Sequence, residues 1–127
     1  MKADIKAKWL ADLRSGKFPQ TTGALRNGNG YCCLGVLCDI YAQETGVEWA
    51  VPNDYDNCTM HGNDSTLPYE VEQWAGLTHE HGGYVAVTKR YDEGEETTVF
   101  HSPSLTELND AWNYDFKQIA DVIEEQL

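Results

Sequence analysis

Cationic residues are scarce in this sequence: nine of 127 residues are Lys or Arg, against 21 Asp and Glu, for a formal net charge of −12. A protein that coats phosphates needs Lys and Arg, so general nucleic-acid binding is excluded as a main function. Long apolar runs are also missing. No stretch approaches the roughly 20 residues that a membrane helix needs, so no membrane partner is expected. The first residues hold no apolar run of signal-peptide length, which predicts a mature, non-secretory start. Cysteines number only four, at positions 32, 33, 38 and 58. Two are adjacent, unlike the spaced framework of a secreted disulfide scaffold. Reduced thiols and a cytoplasmic location follow as expectations.

What is present suffices for one folded domain spanning 1–127. The hydrophobic fraction is 41%, and four Trp, seven Tyr and three Phe supply large apolar area. Neither an internal repeat nor a linker interrupts the chain. Charge is unevenly spread. Residues 1–26 hold six bases (Lys2, Lys6, Lys8, Arg14, Lys17, Arg26) and two acids, a local charge of +4. The remainder carries three bases and 19 acids, or −16. This pattern predicts an acidic body with one basic face, unless the lysines only solvate the outer side of a first helix.

Periodicity places the elements. Ile5, Trp9 and Leu13 recur every four residues, predicting an amphipathic helix over 4–14 that stops at Gly16. Asn27-Gly28-Asn29-Gly30 is a turn signal inside a strand-turn segment over 20–34. Residues 33–44 read as a mostly buried helix ending near Gly46. Val47–Val51 has the composition of a short strand, and 52–64 that of a long loop. Ser65 or Thr66 can cap a helix that has Pro68 in its first turn and ends at Gly76. Residues 84–90 and 96–101 read as a hairpin joined through 91–95. Ser104 with Glu107, and Asp115 with Gln118, make capping-box patterns for helices over 105–110 and 116–126. The order predicts an α+β fold: a small antiparallel β-sheet packed against four or five helices.

Three blocks carry a resemblance. They are WLADLRSGKFPQTTGALRNGNG (9–30), GYCCLGVLCDIY (30–41), and the tail LTELND with DFKQIADVIEEQL (105–110 and 115–127). Together they resemble a family of small bacteriophage-encoded proteins. The resemblance carries over no catalytic residues. It implies a phage origin and action in the host cell cytoplasm, where small phage accessory proteins often blunt host defence.

Four groups could carry chemistry. The first is an anion site. The glycine-rich turn leads into a helix whose N-terminal amides could face a phosphate. Arg14, Lys17 and Arg26 could supply counter-charge, Gln20, Thr21 and Thr22 could read a base or ribose, and Tyr31 and Cys32 would lie alongside. A plain hairpin turn is the simpler reading of the same residues. The second is a zinc site from Cys58, His61, His79 and His81, whose ligand set is incomplete, so no metal is expected. The third is a thiolate nucleophile at Cys32 or Cys33, for which buried structural cysteine is the commoner case. The fourth is calcium at Asp54 and Asp56 or at the run Asp92 to Glu96. Neither has the spacing of a calcium loop, and a solvated acidic face explains both.

The leading expectation is a phage-encoded anti-defence binding protein that needs no cofactor. It would sequester a small phosphate-bearing signalling nucleotide through Arg14, Lys17, Gln20, Thr22, Arg26, Tyr31 and Cys32, with Trp9, Trp49 and Trp74 available for stacking. The alternative is an acidic inhibitor that imitates nucleic acid and occupies a basic groove on a host defence protein. A small enzyme is the third reading. A homo-oligomer is compatible with each.

Overall fold

The computed structural model describes residues 1–92 and 96–127, with side chains described outside 88–100. The described residues form five helices and two small sheets in the order α1 (Ala3–Arg14), β1 (Arg26–Asn27), β2 (Gly30–Tyr31), α2 (Cys33–Thr45), β3 (Asn57–Cys58), α3 (Tyr69–Ala75), β4 (Val87–Asp92), β5 (Glu96–His101), α4 (Leu105–Asp110) and α5 (Phe116–Gln126). The fold is α+β, as the sequence pattern predicts. One sheet has the order β2-β1-β3, all antiparallel, and β4 pairs with β5 antiparallel.

Helix α2 is the centre of the molecule. Its first six residues, Cys33 to Cys38, are all buried, with Ile40 and Tyr41 beyond them. A helix buried nearly all round needs cover on every side, and α1, α3, α4 and β2 pack on it. Residue 35 must be glycine: a Cβ there would stand 1.7 Å from the Leu25 carbonyl oxygen. Helix α1 buries Ile5, Trp9 and Leu13, and the Trp9 indole donates to the Cys33 carbonyl at 2.9 Å. Each fully buried side chain of this size contributes about 1.5–3 kcal/mol.

The basic face of α1 is spent on the fold. Lys6 donates to the Glu124 carbonyl at 3.1 Å, at the C-terminal end of α5, where a cation suits the helix dipole. Lys8 pairs with Glu44 of α2. Arg14 pairs with Asp121 at 2.8 Å and Glu124 at 2.5 Å, tying α1 to α5. Both predicted capping boxes form, at Ser104/Glu107 and Asp115/Gln118.

Several elements differ from expectation. Val47–Val51 is not a strand; among the described residues its only backbone N–H that reaches across is that of Ala50, to the Thr59 carbonyl. The strand of this region is β3, inside the predicted loop. Helix α3 starts at Tyr69 with Pro68 at the N-cap and no side-chain cap, so Ser65 and Thr66 do not cap it. Strand β4 starts at Val87 rather than Tyr84, because Tyr84 and Val85 pair instead with the residues leading into α4. Val85 and Val87 face the core, and Tyr84 and Ala86 face solvent. Of the predicted connector 91–95, residues 93–95 lie outside the described residues, and so does the placement of the acidic side chains over 92–96.

Candidate functional site

A strap of residues 18–22 leaves α1 and runs beside β2. Pro19 cannot donate, but its carbonyl accepts Tyr31 N–H at 2.8 Å, and the Tyr31 carbonyl accepts Thr21 N–H at 2.8 Å. This approach needs Gly30, where a Cβ would lie 2.3 Å from the Pro19 oxygen. These two bonds pair Gln20 with Tyr31 as a parallel bridge, so the strap carries Gln20 alongside Tyr31.

Around Tyr31, four groups gather. Phe18 meets Tyr31 edge-on at 5.1 Å, and Tyr31 meets Trp49 at 6.4 Å. The Arg26 guanidinium lies 5.2 Å from the Tyr31 ring centroid and 5.6 Å from that of Trp49. Trp49 is itself held by donating to Asp39 at 3.1 Å. Burial pushes the Tyr31 hydroxyl pKa up, Asp39 adds to the rise and Arg26 opposes it, so the ring stays neutral beneath the cation. Among the described residues no carboxylate lies within ion-pair distance of Arg26.

At Gln20 the strap borders a cleft of about 250 Å³, lined by Gln20, Thr22, Asn109, Asn113, Tyr114 and Asp115. Asn109 is buried and makes four bonds. Its Oδ1 accepts from Cys33 N–H at 3.2 Å and Gln20 Nε2 at 2.9 Å; its Nδ2 donates to the Thr21 carbonyl at 2.9 Å and Asp110 Oδ1 at 2.8 Å. Gln20 Nε2 also donates to the Tyr114 carbonyl at 2.8 Å. A second hollow of about 240 Å³ shares Gln20 and Asp115 with the cleft and adds Leu13, Phe18 and Phe116.

The sequence-predicted site divides accordingly. Arg26 and Tyr31 come together, and so do Gln20 and Thr22, with Gln20 bridge-paired to Tyr31. Arg14 does not join them, because two α5 carboxylates take its guanidinium. Lys17 is exposed, and its charge acts on Asp12. Cys32 is a cap: it is buried, and its sulfur accepts Gly35 N–H at 3.4 Å. The predicted phosphate seat at the start of α2 is corrected by the same contacts. Cys33 N–H goes to Asn109 and Gly35 N–H to Cys32, and all of 32–35 is buried. In the preceding turn, Gly28 N–H faces the chain's own Asp56 carboxylate at 3.3 Å. The sequence pattern does not mark Asn109, Asn113 or Asp39 as site residues, and Trp49 enters it only as a stacking residue.

The other candidate chemistries meet different surroundings. Burial raises the Cys32 thiol pKa to about 12 and pushes Cys33 and Cys38 well up, so these thiols stay protonated and are poor nucleophiles. His61 Nε2 bonds the Tyr41 hydroxyl at 2.9 Å, and His81 Nδ1 bonds Thr106 at 3.1 Å. Among the described residues no three His, Cys, Asp or Glu side chains gather as metal ligands, and no helix is long and apolar enough to cross a membrane.

No curated protein and no solved structure matches the chain. The family model for a domain of unknown function, DUF8296, matches residues 1–127, and the chain belongs to that family.

Proposed function

We propose that this protein binds a small phosphate-bearing nucleotide, with Arg26 as the phosphate ligand. The observation that carries the reading is the Arg26 guanidinium resting on Tyr31 and Trp49 without a carboxylate partner among the described residues. A guanidinium laid on rings keeps its in-plane N–H donors for phosphate oxygens, and its geometry is fixed in advance. The acidic body does not forbid this, because charges beyond roughly 8–10 Å are screened at physiological salt. With the resemblance to phage-encoded proteins, the reading extends to sequestration of a host signalling nucleotide in the host cytoplasm. Calorimetry against cyclic mono-, di- and trinucleotides and ADP-ribose derivatives tests it. Arg26→Ala should weaken binding by about 10- to 150-fold, the loss of one charge-assisted bond. An absence of heat from every member of the panel rejects the reading.

A second reading has its own observation. Val51 is 85% exposed and Tyr55 83%, beside Glu48, Asp54 and Asp56. The Asn53 side chain fixes this loop by accepting Tyr55 and Asn57 N–H, both at 3.0 Å. A pre-ordered tyrosine among acids suits a basic groove on a host protein. Under this reading Tyr55→Ala weakens capture of that protein and leaves nucleotide heats unchanged.

A further inference from the structure

The cleft bordered by Gln20 and Thr22 of the strap has a donor and acceptor polarity that can be read from the backbone. Asn109 cannot be turned over. Its Oδ1 faces Cys33 N–H, which only donates, and its Nδ2 faces the Thr21 carbonyl, which only accepts. That fixes Gln20. Both of its amide hydrogens face acceptors, Asn109 Oδ1 and the Tyr114 carbonyl. Turning the Gln20 amide would set oxygen against two oxygens. Gln20 Oε1 is left as an acceptor with no hydrogen-bond partner among the described residues, on a side chain that is exposed and yet held in one orientation.

Two neighbours complete the pattern. Asn113 stands at the cleft wall in the left-handed region, at φ 55°, which a short polar residue tolerates. Its side-chain amide has no hydrogen-bond partner among the described residues and is free to turn its Nδ2 donors outward. Asp115 lines the same wall; its Oδ1 caps α5 through Gln118 N–H at 2.8 Å. A carboxylate in the wall disfavours a phosphate here, so this is not a second anion seat. The adjoining hollow offers the apolar faces of Leu13, Phe18 and Phe116.

We infer that this cleft, resting on the nucleotide reading above, recognises an amine-bearing nucleobase, adenine or cytosine, through its exocyclic amine. Gln20 Oε1 accepts from the amine, and Asn113 Nδ2 donates to the adjacent ring nitrogen. The base's face lies toward the apolar hollow, and Phe18, which lines that hollow and meets Tyr31 edge-on at 5.1 Å, links it to the phosphate seat at Arg26. A base with a carbonyl at the amine position, such as hypoxanthine or uracil, sets oxygen against Gln20 Oε1 and leaves both unpaired. A site built to pair a polar group rejects the analogue that lacks it more strongly than an apolar pocket rejects a methyl group.

The test pairs each adenine ligand of the panel with its hypoxanthine counterpart, adenosine against inosine cyclic mono-, di- and trinucleotides and ADP-ribose against IDP-ribose, titrated into the full-length protein. The expected result is a loss of about 10- to 100-fold in affinity on replacing adenine by hypoxanthine. Gln20→Leu should shrink that gap to within about twofold while the Arg26 dependence persists. Should Gln20→Leu not fold by circular dichroism, Asn113→Gly gives the same readout, since glycine keeps the left-handed backbone and removes only the amide. Hypoxanthine forms that bind as well as adenine forms overturn the base assignment and leave the Arg26 reading standing. A gap that survives both substitutions also overturns it. No heat from any nucleotide overturns both.

Discussion

Asn109 of α4 accepts the backbone N–H of Cys33, the first residue of α2, at 3.2 Å across 76 residues of sequence. The same side chain holds the strap through Thr21 and Gln20. One buried amide therefore joins the central helix, the strap and the cleft wall. Asn109→Ala would leave Cys33 N–H and the Thr21 carbonyl without partners. Each buried polar group left unpaired costs about 1–3 kcal/mol, so a loss of about 2–5 kcal/mol is expected in urea unfolding. A loss below about 1 kcal/mol would mean that water or a neighbour replaces the amide.

Gly35 gives a second stability prediction, of opposite origin. A methyl group there stands 1.7 Å from the Leu25 carbonyl oxygen, which is backbone and cannot swing aside. Gly35→Ala gains helix propensity of about 1 kcal/mol on an unencumbered helix. Here the clash outweighs that gain, and a net destabilisation of at least about 2 kcal/mol is expected. A melting temperature equal to the parent's would show that the Leu25 segment yields.

Much of the fold is legible in the sequence because its signals are local. The four-residue recurrence of Ile5, Trp9 and Leu13, the two capping boxes and the Asn-Gly turn each need only neighbours along the chain. Strand β3 is not legible. Asn57 and Cys58 have no strand character of their own and become a strand by pairing with Asn27 and Arg26. Val47–Val51 has strand composition, but Trp49 is drawn toward Asp39 and Arg26. The site divides in the same way. Arg26, Tyr31, Gln20 and Thr22 are near one another in sequence. Arg14 looks like their partner until Asp121 and Glu124 arrive from over 100 residues away. Asn109 carried a usable signal: a polar residue on the α4 face that Leu105 and Leu108 mark as buried.

The two arginines make a contrasting pair in the binding assay. Arg14 is exposed and held by surface carboxylates, and such pairs add little to stability and are screened by salt. Arg14→Ala should leave nucleotide affinity within about twofold and shift the melting temperature by only a few degrees. Arg26→Ala should do the reverse, keeping the fold and losing affinity. Equal losses of affinity from both would return Arg14 to the site and count against its assignment to α5.

The buried thiols make stability fall on the alkaline side. An ordinary cysteine thiol has a pKa of 9.0, and that of Cys32 is raised to about 12 by burial, with Cys33 and Cys38 also raised. The folded state thus binds these protons more tightly than the unfolded chain. Their contribution is fully present below pH 9. It is lost as pH rises through the folded-state values, because the unfolded chain ionises first and gains from it. The melting temperature should therefore decline steadily from about pH 9 upward. Other groups titrate in that range, so the decisive comparison is with Cys38→Ala, which removes one thiol from the apolar face of α2. That variant is less stable at pH 7, since it leaves a cavity, but its alkaline decline should be shallower than the parent's. Thiol labelling gives an independent check. Cys32, Cys33 and Cys38 should react with a maleimide only under denaturing conditions, without added reductant, whereas the half-buried Cys58 should react in the native protein. Rapid native labelling of all four, together with parallel pH profiles for parent and variant, would show that α2 opens readily and that burial does not hold these thiols protonated.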